Sequence, residues 1–118
     1  MTGKGGRRTV SQLRILFLCT GNSCRSQMAE AWARQLFPAD WEVLSAGLLT
    51  SPVSRRADAV MREVGLSLAG HRSKSIDAID LDLCDLVVTL SQEAASYLPE
   101  LADPSRHWPR PFADPMEA

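Results

Sequence analysis

The order of apolar and polar positions along the chain predicts alternating strands and helices. The run from Leu13 to Leu18 is apolar at nearly every position, which is typical of a strand buried on both faces of a parallel sheet. Trp41 to Ala46 is predicted as a second strand that ends at Gly47, and Asp85 to Leu90 as a third.

Helical periodicity separates these strands. Apolar residues recur at i, i+3, i+4 and i+7 in two stripes, and we expect both stripes to face the core. The stripes consist of Ala29, Trp32, Ala33 and Leu36, and of Ala57, Val60, Met61 and Val64. Pro38 is expected to end the first helix, and Gly65 is placed to cap the second. Ser91 is a suitable N-cap for a third helix over Gln92 to Leu98.

This alternation predicts an α/β fold, with one three-layer domain whose mainly parallel, four-stranded sheet is flanked by helices. The first strand, helix and strand form a βαβ unit of right-handed connection. Residues 103–115 contain four prolines and are predicted to be a loop with little regular structure. The basic residues within 1–12 indicate a disordered tail, so the domain is expected to occupy residues 13–118.

Composition narrows the function classes. With 118 residues, 45% of them hydrophobic, and a net charge of -1, the chain has the profile of an ordinary globular protein, expected to be monomeric, with neither nucleic acid nor a membrane as partner. No run approaches the ~18 apolar residues of a membrane span. Three cysteines suit a reducing cytoplasm better than a disulfide framework. Two histidines without a Cys-x-x-Cys pair predict no metal site.

The turn after the first strand carries the candidate chemistry. Cys19 lies where ligands bind in open α/β sheets, and the N-terminus of the following helix favours negative charge on its sulfur. Arg25 adds a fixed charge and a planar fork of donors for a tetrahedral oxyanion. Gly21 and Asn22 tolerate the backbone dihedrals that let N–H groups converge. Each feature alone is commonly structural, but their combination indicates an oxyanion site.

The segment from Cys19 to Glu30 resembles the signature loop of the low-molecular-weight protein tyrosine phosphatase superfamily, most closely its arsenate reductase branch. Further segments resemble that branch in order and spacing: residues 45–47, 59–65, 71–74 and 85–90, and His107-Trp108 followed by Asp114-Pro115. The resemblance implies a phosphatase-type anion loop after strand 1, formed by Thr20, Gly21, Asn22, Ser23, Cys24, Arg25 and Ser26.

The resemblance also implies the roles of the catalytic residues. Cys19 would be the nucleophile, Arg25 would clamp the oxyanion, and Asp114 would be the general acid. Asp103-Pro104 is a competing Asp-Pro pair, but Asp114 follows His107-Trp108 as in the family. Ser26 would support the thiolate through a hydrogen bond, and Asn22 would hold the strained loop.

The source of electrons is the open part of this prediction. Thioredoxin-linked members of the branch use two further cysteines, and this sequence has Ser91 and Leu98 at those places. We therefore expect no tightly bound cofactor and an external thiol, glutathione or mycothiol with a glutaredoxin-like protein. Cys24 is either a resolving thiol or an inert residue packed behind the loop. Cys84 lies about 20 Å from the end of its strand, so it is expected to be structural.

The predicted function is arsenate reduction through attack by Cys19. The alternative is a phosphatase that hydrolyses phosphomonoesters through a Cys19 phospho-intermediate. Met116-Glu117-Ala118 follows Asp114-Pro115, where tyrosine phosphatases carry aromatic residues, and this favours the reductase. A non-catalytic oxyanion-binding domain is the second alternative, because the relay cysteines are absent and we expect the final helix usual in relatives to be missing.

A potassium requirement is not expected. Some arsenate reductases of this kind bind potassium near the loop through residues that match Asn22, Glu30 and Ser45. They have an acid where this sequence has Lys74, and the lysine ammonium would occupy that space and pair with Glu30.

Overall fold

The computed structural model describes residues 13–22, 24–97 and 104–110, and the tail over 1–12 lies outside them. Its four strands form one parallel sheet in the order β2-β1-β3-β4. The strands are β1 Arg14–Cys19, β2 Glu42–Gly47, β3 Leu86–Thr89 and β4 His107–Pro109, and the helices are α1 Arg25–Leu36, α2 Arg55–Arg62 and α3 Gln92–Tyr97. The predicted α/β fold with a four-stranded parallel sheet is confirmed.

Strand β1 is the centre of the core because both of its faces are covered. Ile15 and Cys19 face the side on which Ala29 and Phe37 pack. Leu16 and Leu18 face the other side, against a cluster formed by Ala46, Ile76, Cys84, Val87 and Ala94. A strand covered on both faces has no polar side, which explains the continuous apolar run.

Strand β4 corrects the prediction that residues 103–115 form a loop. Trp108 is in register with Val88, and the N–H of Arg110 donates to the carbonyl of Thr89 at 2.8 Å. Pro109 is tolerated because β4 pairs only with β3 in the described sheet, and on such an edge a missing N–H breaks no ladder. The prolines in this segment therefore led to the prediction of a loop where the structure has a short edge strand.

The predicted apolar stripes are wrong in half of their positions. Trp32 and Leu36 are 41% and 69% exposed, and Val60 and Val64 are 51% and 55% exposed. The buried side of α1 consists instead of Ser26, Gln27, Glu30, Ala31 and Ala33. Polar side chains occupy this side because each finds a hydrogen-bond partner in the loop or the sheet.

One predicted helix cap is confirmed, and the other is displaced, because Glu63 is the C-cap of α2 and Gly65 lies two residues beyond it. Helix α2 is followed by Gly65 at φ 84°, a left-handed conformation that suits glycine after a helix. The Ser91 hydroxyl oxygen accepts the N–H of Ala94 at 3.1 Å and so caps α3. In the part of the chain that is described, no helix has the length and apolar character needed to cross a membrane.

Candidate active site

The thiol of Cys19 lies at the junction between β1 and α1. The side chain is almost fully buried, and its Sγ accepts the N–H of Asn22 at 3.2 Å. The Ser26 hydroxyl lies 2.9 Å from the same sulfur, so the expected contact between Ser26 and the thiol is present. Both donors stabilise negative charge on the sulfur.

Asn22 shapes the loop through its backbone and its side chain. Its φ is 51°, and among the described residues no other non-glycine residue has a positive φ. Its Oδ1 accepts the N–H of Lys74 at 2.6 Å, and its Nδ2 donates to Ser26 Oγ at 2.7 Å. Because Ser26 Oγ accepts this bond, its own proton is available for the sulfur of Cys19.

The carbonyl groups of the loop are turned away from the thiol. Those of Cys19, Thr20 and Gly21 accept the N–H groups of Leu48, Leu49 and Ser51 at 3.2, 2.9 and 3.2 Å. In a trans peptide, the next N–H points opposite to the carbonyl. The N–H groups of Thr20, Gly21 and Asn22 therefore face the other side, where the bond from Asn22 to Sγ lies.

Gly47 at the end of β2 allows this loop to approach the sheet. A Cβ at this position would lie 2.6 Å from the nitrogen of Asn22 and 2.8 Å from the carbonyl carbon of Gly21. It would also lie 2.6 Å from the carbonyl oxygen of Leu49. All three are backbone atoms, so only glycine fits.

A segment comprising His71, Arg72, Ser73 and Lys74 holds the loop from outside. Ser73 Oγ donates to the carbonyl of Gly21 at 3.0 Å. Gln27 Nε2 donates to the carbonyls of Asn22 and Arg72 at 3.1 and 3.0 Å. The contributions of Gln27 and Ser73 were not predicted from the sequence. The available signal was the helical spacing of Gln27, Glu30 and Arg34, which places polar residues on one side of α1.

Glu30 is paired differently from the expectation. Its carboxylate accepts the Ser45 hydroxyl at 2.5 Å and the Arg34 guanidinium at 2.6 Å. The Lys74 ammonium instead donates to the carbonyl of Arg72 at 2.9 Å. Burial lowers the pKa of Lys74, and the nearby Glu30 charge opposes that shift. The expected pairing of Lys74 with Glu30 is thus replaced by the pair between Glu30 and Arg34.

The remaining cysteines lie in different parts of the core. Cys24 packs between α1 and α2 in a cluster with Ala31, Ala57, Met61 and Leu68. Cys84 is fully buried on the opposite sheet face, and burial raises the pKa of its thiol.

No group of His, Cys, Asp and Glu within the described ranges is arranged to hold a metal ion. Arg25 is the first residue of α1, and Ser23, Leu98, Asp103 and Asp114 lie outside the described residues.

A polar contact joins the loop to α3. Thr20 Oγ1 donates to Ser91 Oγ at 3.0 Å and lies 3.3 Å from the Glu93 carboxylate. An open groove of about 460 Å³ beside this contact is lined by Leu48, Gln92, Glu93 and Ser96. Ser91 therefore stands next to the residue that follows the nucleophile candidate.

The parallel sheet and the loop around Cys19 define a class of α/β proteins built around a thiol in an anion-binding turn. The chain belongs to the low molecular weight phosphotyrosine protein phosphatase family, whose model matches residues 14–113. It is 46% identical to an arsenate reductase of Staphylococcus aureus (strain Newman) over 103 residues, which are 86% of this chain and 77% of that protein. The superfamily and the branch predicted from the loop are confirmed.

Solved structures agree with this assignment. An arsenate reductase in the phosphate binding state is 34% identical, with a TM-score of 0.80, over 89% of this chain and 80% of its own. A low molecular weight protein tyrosine phosphatase from T. tengcongensis is 35% identical, with a TM-score of 0.66, over 82% of this chain and 72% of its own. The relatives therefore include both reductases and phosphatases.

Proposed function

We propose that this protein is an arsenate reductase in which Cys19 attacks arsenate and an external thiol completes the reduction. The observation that carries the proposal is the Cys19 sulfur bonded by the Asn22 N–H and the Ser26 hydroxyl, in a chain 46% identical to an arsenate reductase. These donors favour the thiolate, which is the nucleophilic form.

In the proposed reaction, a bond forms between Cys19 Sγ and arsenic while one arsenate oxygen leaves as water. Arg25 balances the charge of the remaining oxygens, and Asp114 protonates the departing oxygen. The external thiolate then attacks Cys19 Sγ, and an S–S bond forms. The S–As bond breaks with its electron pair on arsenic, which leaves as arsenite. A second thiol reduces the mixed disulfide and restores Cys19.

The positions of the other cysteines support an external reductant. Cys84 lies in the core on the opposite face of the sheet, and Cys24 packs against α2. Ser91 has no thiol to offer at the position where thioredoxin-linked relatives carry one. We propose glutathione or mycothiol with a glutaredoxin-like protein, in a reducing cytoplasm, as the electron source.

A phosphatase is the second candidate, favoured by the 35% identity to a solved low molecular weight protein tyrosine phosphatase. In that reaction, Cys19 would displace an alcohol from a phosphomonoester, and water would hydrolyse the phospho-intermediate. The same loop serves both reactions, because arsenate and phosphate are tetrahedral oxyanions.

Two assays on one preparation test the proposal. Arsenate-dependent NADPH oxidation is measured with glutathione, glutaredoxin and glutathione reductase, and separately with thioredoxin and thioredoxin reductase; hydrolysis of para-nitrophenyl phosphate is measured in parallel. We expect turnover with the glutathione system. A third reaction supplies mycothiol with a mycothiol-dependent glutaredoxin-like protein and its reductase. Hydrolysis without arsenate turnover in any of the three thiol systems would establish the phosphatase instead, and the absence of both activities would point to a binding domain.

Variants assign the thiols in these assays. Cys19→Ser should abolish turnover, whereas Cys84→Ala is the matched control and should retain it. If thioredoxin alone supports turnover and Cys24→Ser removes it, Cys24 is the resolving thiol and the external-thiol step is wrong.

A further inference from the structure

His71 lies beside the loop without touching the thiol. Its Nδ1 is 2.8 Å from Gln27 Oε1, across 44 positions of sequence. Gln27 is fully buried, and its amide nitrogen donates to the carbonyls of Asn22 and Arg72. The orientation of the Gln27 amide is therefore fixed, because only its nitrogen can donate to two carbonyls.

This orientation decides the tautomer of His71. Since the amide oxygen of Gln27 faces the ring, His71 must carry a proton on Nδ1 to form the bond. The opposite tautomer would set two acceptors against each other and leave a buried oxygen without a donor. Such a buried acceptor costs more than an ordinary hydrogen bond contributes.

We propose that His71 is a positioning residue for the oxyanion loop, acting through Gln27 on the peptide of Asn22. The chain of contacts runs from His71 Nδ1–H to Gln27 Oε1, and from Gln27 Nε2 to the carbonyl of Asn22. That carbonyl belongs to the residue at φ 51°, whose own N–H is directed at Cys19 Sγ. The bonds thus hold Asn22 in the left-handed conformation that aims its N–H at the sulfur.

This role rests on the proposed function but is measured without turnover. Tungstate is a tetrahedral oxyanion, and its affinity measures how well the loop is shaped for an oxyanion. The rate at which iodoacetamide alkylates Cys19 measures how readily the thiolate forms. A matched pair of variants separates positioning from packing. His71→Asn keeps a donor, because the asparagine amide nitrogen stands as many bonds from the main chain as Nδ1. His71→Leu removes the donor.

We expect His71→Leu to bind tungstate about tenfold more weakly and to slow alkylation, and His71→Asn to restore both toward the unaltered protein. A purely structural role would lower the melting temperature of His71→Leu and leave tungstate affinity in the folded protein unchanged; that result would overturn the proposal. The same holds if His71→Asn binds as weakly as His71→Leu.

Gln27→Met tests whether His71 acts on Asn22 through Gln27. Alone it should weaken tungstate binding by a similar factor, and in combination with His71→Leu it should add little, because both changes break one chain of contacts. Fully additive losses would show that His71 acts by another route. If the unaltered protein failed to bind tungstate at all, the proposed oxyanion site itself would be wrong, which is a different outcome from equal binding by the two proteins.

Discussion

Thr20 Oγ1 donates a hydrogen bond of 3.0 Å to Ser91 Oγ, so the start of α3 is joined to the residue that follows the Cys19 nucleophile candidate. The resemblance to the arsenate reductase branch implies that Ser91 occupies the place at which thioredoxin-linked members have a relay cysteine. A thiol introduced there would stand within reach of the anion loop and could attack Cys19 Sγ once arsenic is bound to it.

We therefore expect Ser91→Cys to reduce arsenate once without any external thiol. The variant should release one arsenite per protein and lose two titratable thiols to a disulfide, whereas the unaltered protein should release none. Arsenite is measured by chromatography and thiols by reaction with Ellman's reagent. Ser67→Cys carries the same new thiol at an exposed site after α2 and serves as the control. A Ser91→Cys protein that retains all of its thiols after exposure to arsenate would contradict this expectation.

Replacement of Gly47 should damage the loop directly. In Gly47→Ala the new Cβ would lie 2.6 Å from the nitrogen of Asn22, and this backbone atom cannot move without displacing the N–H that bonds Cys19 Sγ. We expect the free energy of unfolding to fall by about 1–3 kcal/mol and tungstate binding to weaken. Denaturant unfolding and calorimetric titration measure the two effects.

Gly65→Ala is the matched control for backbone strain. Gly65 has φ 84°, and a Cβ there would meet nothing within 4 Å, so the cost is about 1 kcal/mol of stability without contact with the loop. Tungstate binding should be unchanged in this variant. Equal loss of binding in both variants would show that global destabilisation, rather than the position of the loop, explains the Gly47 result.

The sequence predicted the part of the structure that rests on local signals. The apolar run of β1, the glycine-bearing turn and the start of α1 are contiguous, so the junction at Cys19 followed from residues 13–30. The contact of Cys19 with Ser26 was implied by the family resemblance and not by these local signals. Side chains on α1 did not follow the apolar stripe, because Gln27 and Glu30 are buried by partners that lie far away in sequence. Ser45 and His71 supply those partners, 15 and 44 positions later.

Strand β4 was not predicted, because its own segment does not show that it lies at the edge of the sheet. Proline lowers the expectation of a strand, but the penalty applies only where the N–H would join a ladder. Whether Pro109 lies on an edge depends on the order of all strands in the sheet, which no single segment reveals.

Stability should decline on the acidic side because of His107. Burial lowers the pKa of this imidazole below its usual 6.5, and its Nε2 lies 2.8 Å from Thr89 Oγ1. The unfolded chain then binds a proton at a higher pH than the folded protein does. The stability contribution is therefore complete above the unfolded pKa and is lost as the pH falls from there toward the folded value.

His107→Gln tests this contribution, because an amide can keep the contact with Thr89 but does not titrate. We expect the free energy of unfolding of the variant to depend less on pH between about 7 and about 5 than that of the unaltered protein. Parallel pH profiles would rule out a contribution from His107.

The charges around Glu30 predict kinetics that do not depend on potassium. Its carboxylate already accepts hydrogen bonds from Ser45 and Arg34, and the Lys74 ammonium lies near enough to interact electrostatically with that carboxylate. A cation at this place would lie beside two fixed positive charges, and this repulsion opposes binding. Replacing sodium with potassium at constant ionic strength should leave kcat/KM for arsenate unchanged. Lys74→Asp is the informative variant, because it supplies the acid that the resemblance implies at this position in potassium-binding arsenate reductases. We expect potassium to raise the melting temperature of Lys74→Asp more than sodium does. A several-fold activation of the unaltered protein by potassium would contradict the prediction that its kinetics do not depend on potassium.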